Sequence, residues 1–225
     1  MLQYMSHTGD YLKNISDQFK NLSPEVDYQA LLAQMQTLSH PRRKLKELQN
    51  KGSLIRLKKG FYVLTEQIIG KNYSVQIVAN LLYGPSYLSL EYALSYYDLI
   101  PERVESLTSV TTQKNKNFET AIGHFTYKHL ATDLYPMGVT IKKTEDDRNF
   151  LIATPEKALM DMFTLKFKNT DLPKKKDILK ALIEDLRIDL EAFKQIRDRN
   201  LLQEMKSFYR NRAWNRLAID FLLEY

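Results

Sequence analysis

The stretch from Pro41 to Leu64, PRRKLKELQNKGSLIRLKKGFYVL, admits few conformations. Proline is tolerated in a first helical turn, where its missing N–H would have no partner anyway, so Ser39 or His40 caps a helix running to about Asn50. Gly52 ends it. Leu54 to Lys58 and Phe61 to Leu64 then alternate as strands about a Lys59-Gly60 turn, the pattern of a β-hairpin. Upstream, Tyr28 to Gln36 reads as a short helix whose Leu31, Leu32 and Met35 would pack on Leu45 and Leu48.

Helix, turn, helix and basic hairpin together spell a winged helix-turn-helix. The charge is concentrated there. Between Leu38 and Leu64 stand eight basic residues against one acid, Glu47, whereas residues 1 to 37 carry two lysines against four acids. With Leu45 and Leu48 fixing the buried stripe at 100° per residue, Arg43, Lys46, Glu47 and Asn50 point outward and Arg42 lies on one flank. Arginine suits guanine edges, asparagine suits adenine, and lysine and arginine neutralise phosphates. The expected DNA-binding residues are therefore Arg42, Arg43, Lys46 and Asn50 on the helix and Arg56, Lys58 and Lys59 on the wing. A plain amphipathic helix with a solvated basic face is the competing reading, and the hairpin favours DNA.

The chain has 225 residues, 44% hydrophobic and 27% charged, which is enough for two domains with real cores. We expect an α+β protein: a winged helix-turn-helix over residues 1–72, then a mixed domain over residues 73–225 with a small sheet and a helical tail. Residues 1–72 carry 11 basic and 6 acidic groups, the remainder 22 and 21. Only the first part is built for a polyanion. No apolar run approaches about 18 residues, so no membrane partner is expected. The N-terminus lacks the plan of a signal peptide, which with zero cysteines fits a cytoplasmic location.

Along the chain, Leu2 to Phe19 reads as a helix, Asn21 to Pro24 as a break and Ser74 to Leu82 as a helix. Ser89 caps LEYALSYYDLI, which Pro101 ends. Strands are expected at Leu107 to Thr112, Phe125 to Lys128, Val139 to Thr144 and Asn149 to Ile152, with turns at Lys114 to Asn117 and Glu145 to Arg148. Thr154-Pro155-Glu156 opens a helix with an apolar stripe of Ala158, Leu159 and Met162. Four more helices, Lys174 to Leu186, Leu190 to Arg199, Leu201 to Tyr209 and Trp214 to Leu223, finish the chain.

GPSYLSLEYALSYYDLIPE (Gly84 to Glu102), the following SLTSVTTQKN, IATPEKALMDMF (Ile152 to Phe163) and RLKKGFYVL (Arg56 to Leu64) resemble the AbiEi-type antitoxins of type IV toxin–antitoxin systems, over roughly residues 28 to 165. The resemblance implies a winged helix that binds inverted repeats in double-stranded DNA of its own promoter and represses the operon. It also implies a C-terminal domain that counteracts a nucleotidyltransferase-like toxin. In this family GPSYLSLEYAL and TPEKAL are structural signatures, in keeping with Leu88, Leu90, Ala93, Leu94 and Tyr97 as core candidates.

Enzyme chemistry leaves few traces. No phosphate cradle, nucleophile elbow or dinucleotide fingerprint is present, and His7, His40, His124 and His129 form no metal-ligand pair. A non-enzymatic protein without cofactor or metal is the reading that follows. Glu145, Asp146 and Asp147 suit Mg²⁺ in a nuclease targeted by the winged helix, but read more readily as a solvated turn. A protein-interaction module without DNA binding is the other alternative. Tyr83, Tyr87, Tyr92, Tyr96 and Tyr97 suit a stacking platform for single strands or, more often, a core with hydroxyls at its surface. Arg210, Arg212 and Arg216 in FYRNRAWNRL are a second nucleic-acid contact or an ordinary solvated face.

Overall fold

The computed structural model of the chain describes residues 18–225 except 37 and 169. The helix expected over Leu2 to Phe19 lies, but for its last two residues, outside them. The protein is mixed α and β and divides into two compact units after Leu82. The helix Val75–Leu82 thus belongs to the first unit, and the division falls ten residues beyond the position near Asn72 suggested by sequence.

In the first unit, strand β1 (Glu25–Asp27) leads into helix α1 (Tyr28–Gln34), and helix α2 (Pro41–Asn50) precedes strands β2 (Leu54–Lys58) and β3 (Phe61–Leu64). Helices α3 (Glu66–Ile69) and α4 (Val75–Leu82) follow. The strands form an antiparallel sheet in the order β1-β3-β2. Asp27 caps α1, its carboxylate accepting from Ala30 N at 2.8 Å. β1 was missed in sequence because three residues are too few to show alternation. Phe19, Leu31, Met35, Leu45, Leu48, Leu54, Tyr62 and Leu64 fill one core, with Leu32 packed against it. Glu25 is buried, accepting from Ser74 N at 2.6 Å and Ser23 Oγ at 2.7 Å, which ties β1 to the start of α4.

The second unit is built on a six-stranded mixed sheet of β4 (Ser86–Leu88), β5 (Leu107–Thr111), β6 (Lys116–Thr120), β7 (Gly123–His129), β8 (Val139–Lys143) and β9 (Asn149–Ala153), ordered β6-β7-β5-β4-β9-β8. β4 runs parallel to β9 and β5 parallel to β7; the other neighbours are antiparallel. One strand overturns an expected turn: β6 occupies part of the Lys114 to Asn117 segment, while a bend over Tyr83 to Pro85 leads straight into β4. β6 is a polar edge strand, so its hydrogen bonds to β7 form without an apolar alternation to announce them.

Helix α5 (Leu90–Tyr96) packs against α6 (Pro155–Lys166), and α7 (Lys175–Lys180), continued by a π-turn over Ala181–Asp185, α8 (Leu190–Ile196), α9 (Arg199–Phe208) and α10 (Ala213–Glu224) complete the unit. α5 stops short of Pro101: Asp98 takes a left-handed backbone (φ 56°) two residues after the helix. Thr154 caps α6, its hydroxyl accepting from Lys157 N at 3.3 Å, with Pro155 in the first turn. The stripe expected on α6 is corrected: Met162 is only half-buried, whereas Lys157, Asp161, Met160 and Phe163 are wholly enclosed. Helices on several sides cover α6, so the periodicity of a one-sided helix does not apply. Among the described residues, no helix is long and apolar enough to cross a membrane.

Candidate nucleic-acid interface

Helix α2 buries Leu45 and Leu48 and leaves Arg42, Arg43, Lys46 and Asn50 exposed, so these four share its outer surface. Gly52, with φ of 70°, lets the chain reverse while Lys51 N and Ser53 N bond back to the carbonyls of Glu47 and Leu48. His40 occupies the cap position, but its side chain makes no capping hydrogen bond. A shallow hollow of about 520 Å³, lined by Ser39 to Arg43, lies over this end.

Glu47 is the acid within this surface. Its Oε1 lies 3.3 Å from Arg43 Nε and its Oε2 4.0 Å from Lys44 Nζ. Lys44 is largely covered, and burial lowers its pKa against the pull of Glu47.

The hairpin divides its basic residues by role. β2 packs on α2, and its pairing with β3 shifts register between Arg56 and Lys58. Arg56 is exposed, and its Nε donates to the Lys58 carbonyl at 3.4 Å across that irregularity. Lys59 is exposed at the turn. Lys58 turns inward: its ammonium donates to the carbonyl of Leu82, the last residue of α4, and its pKa is lowered by burial. A cation on a helix C-terminus satisfies an otherwise orphaned carbonyl and meets the negative end of the dipole. Of the seven residues singled out in sequence, six present their charge or amide outward, whereas Lys58 is half-buried with its ammonium on the Leu82 carbonyl.

A second constellation, in the other unit, was not foreseen. Lys157 and Asp161, both fully buried, lie one turn apart on α6 with Nζ 2.6 Å from Oδ1. Lys157 Nζ also donates to Leu134 O at 2.8 Å and lies 3.4 Å from Tyr209 Oη. Asp161 Oδ2 accepts from Tyr87 Oη at 2.9 Å and Ser89 Oγ at 2.8 Å. Burial pushes the Asp161 carboxyl up, opposed first by the charge of Lys157 and then by these hydrogen bonds. Burial, reinforced by Asp161, pushes the hydroxyls of Tyr87 and Tyr209 far above their ordinary range. Gly138 abuts the same place: a Cβ there would stand 2.4 Å from Met205 Cε and 2.8 Å from Lys157 Cβ. The members of the network are fully buried, and it joins β4, the start of α5, α6, the residue that closes α9 and the loop through Leu134. Its only trace in sequence is the spacing Lys-x-x-x-Asp inside an otherwise apolar segment.

The remaining candidates are dispersed. Asp146 lies 2.5 Å from Thr144 Oγ1 and 2.6 Å from Arg148 Nε, and Lys143 pairs with Asp147 at 2.5 Å, so these acids are tied within their own exposed turn. His124 pairs with Glu119, and His129 Nδ1 faces Gln113 O at 3.0 Å. Tyr87 is buried, Tyr97 is half-buried and donates to Ala153 O at 3.0 Å, and Tyr83 packs with Phe118 and Tyr127. Trp214 stacks on Phe167 with ring centres 4.1 Å apart and donates to Asp171 O. No group of three or more potential metal ligands occurs among the described residues. No family model matches the chain, and no curated protein matches it either.

Proposed function

We propose that this chain is a non-enzymatic, double-stranded-DNA-binding transcriptional repressor, with α1 and α2 as a helix-turn-helix and the β2–β3 hairpin as its wing. The observation that carries this reading is the outer surface of α2, where Arg42, Arg43, Lys46 and Asn50 stand exposed beside a buried Leu45–Leu48 stripe. Stability alone would arrange the charges otherwise. Arg42, Arg43 and Lys44 crowd the first turn, at the positive end of the helix dipole, and no acid stands there. Each misplaced cation costs roughly 0.3–1 kcal/mol. A phosphate at that end reverses the sign of the effect, since N-terminal N–H groups and arginines both favour an anion.

The toxin-antitoxin reading extends this proposal to the second unit, acting in the cytoplasm against a nucleotidyltransferase-like toxin. Its support is that the segments carrying the AbiEi resemblance, GPSYLSLEYAL and TPEKALMDMF, meet in one buried network through Tyr87, Ser89, Lys157 and Asp161.

The test is an anisotropy titration against the chain's own upstream promoter, inverted repeats included, and a scrambled duplex at two salt concentrations. Tighter promoter binding, weakening with salt at a log–log slope near 0.9 per phosphate contacted, is the expected result. Equal or absent binding to both duplexes removes the repressor reading.

A further inference from the structure

We infer that Glu47, paired with Arg43, reads a cytosine in the major groove, so that the operator half-site contains a G·C base pair facing the middle of α2. This rests on the DNA-binding reading above and names what that surface recognises.

Glu47 is the only acid between Leu38 and Leu64, set among eight basic residues. A carboxylate is repelled by phosphate, so a glutamate held by Arg43 and Lys44 on a DNA-facing surface adds to binding only where it meets a base-edge donor. Glutamate accepts from the N4 amino group of cytosine, and arginine donates to O6 and N7 of guanine. Those acceptors and that donor lie side by side on the major-groove edge of one G·C pair. Arg43 Nε and Glu47 Oε1, 3.3 Å apart on the exposed surface, offer the complementary donor and acceptor. The arginine side chain is 80% exposed and the glutamate 40%, so both can reach outward.

Helix stabilisation does not account for the placement. An i,i+4 pair supports a helix best with the acid on the N-terminal side; here the order is reversed, with Arg43 in the first turn and Glu47 beyond it. Lys44, 4.0 Å from the second carboxylate oxygen and largely covered, steadies Glu47 from the side away from solvent.

The experiment is selection from a random duplex pool by the full-length wild type, Glu47→Gln and Glu47→Ala, with affinities of the enriched duplexes measured by anisotropy. The wild type should enrich a motif with cytosine at one position, preferred by roughly 5- to 150-fold over other bases. Glu47→Gln should weaken the cytosine preference at that single position in favour of adenine, because glutamine pairs with adenine N6 and N7 while Arg43 still favours the guanine opposite cytosine, and leave the rest of the motif unchanged. Glu47→Ala should weaken the preference there. A residue that only braced the helix would change the melting temperature without moving a base preference. If both variants return the wild-type motif, or if the position that moves held a base other than cytosine, the inference is overturned while DNA binding stands. If the wild type enriches no motif, the DNA-binding reading falls and this inference with it.

Discussion

Two helices carry the same spacing, a basic residue followed four positions later by an acid: Arg43 and Glu47 on α2, Lys157 and Asp161 on α6. On α2 the side chains are 80% and 40% exposed, and their separation is 3.3 Å; on α6 both are at 0%, and the separation is 2.6 Å. An exposed i,i+4 pair contributes about 0.3–0.5 kcal/mol, because water screens it and the long side chains lose freedom in making it. A buried pair loses its hydration outright and persists only with further partners, which Leu134, Tyr87, Ser89 and Tyr209 provide around α6. Identical spacing therefore serves an adaptable surface in one unit and a fixed joint in the other.

The sharpest way to break that contrast is to remove one partner at a time. Lys157→Met or Asp161→Leu should destabilise the protein by about 3–5 kcal/mol, since each leaves an uncompensated buried charge. The double variant should lose less than the sum of the two, a non-additivity that urea denaturation would read. Arg43→Ala should shift stability by no more than about 0.5 kcal/mol while relaxing duplex discrimination by about 1–3 kcal/mol. Equal stability losses at the two sites would void the comparison.

A smaller effect should appear at Glu156, whose carboxylate accepts from Asp198 N at 2.6 Å. Burial raises its pKa above the ordinary glutamate value, against that hydrogen bond. A raised acid pKa in the folded state leaves stability untouched at low pH, where folded and unfolded chains are both protonated. It costs stability as pH climbs through the unfolded value toward and past the folded one. Glu156→Gln, which keeps the acceptor, should therefore gain on the wild type as pH rises above the ordinary glutamate value, with no gain at lower pH, in paired urea melts. A difference independent of pH would show that burial does not set this group.

The least effect separates two adjacent lysines. Lys59→Ala should lower the salt slope of DNA binding by about 0.9 with stability unchanged. Lys58→Ala should leave the slope nearly intact and cost about 1 kcal/mol through the freed Leu82 carbonyl. Matching slopes for both would mean that Lys58 leaves the helix end when DNA binds.

Much of the α2–hairpin architecture was legible because local chemistry dictates it. Pro41, Gly52 and the Lys59-Gly60 turn act within a few residues, and α2, β2 and β3 lie where those residues place them. β4 and β6 were not legible: β4 has three residues and is specified by partners far along the chain, whereas β6, although its partner β7 follows at once, is a polar edge strand without apolar alternation. On α2, helical periodicity alone brought Arg42, Arg43, Lys46 and Asn50 to one surface. It had nothing to say about Lys58, whose inward turn depends on a carbonyl 24 residues later. The Lys157–Asp161 joint was hidden for the same reason, because charged residues on a capped helix read as solvated until the elements that enclose them are known.

That joint also bears on the order in which the chain becomes structured during synthesis. Asp161 bonds to residues 72 and 74 positions earlier, and Lys157 approaches a tyrosine 52 positions later. The second unit cannot complete its interior until Tyr209 has left the ribosome, whereas the core around Leu31, Leu45 and Leu64 draws only on residues that emerge well before. Domains fold as units as they emerge. The first unit can thus stand folded on the nascent chain while the polar groups of the second still wait, hydrated, for their last partner.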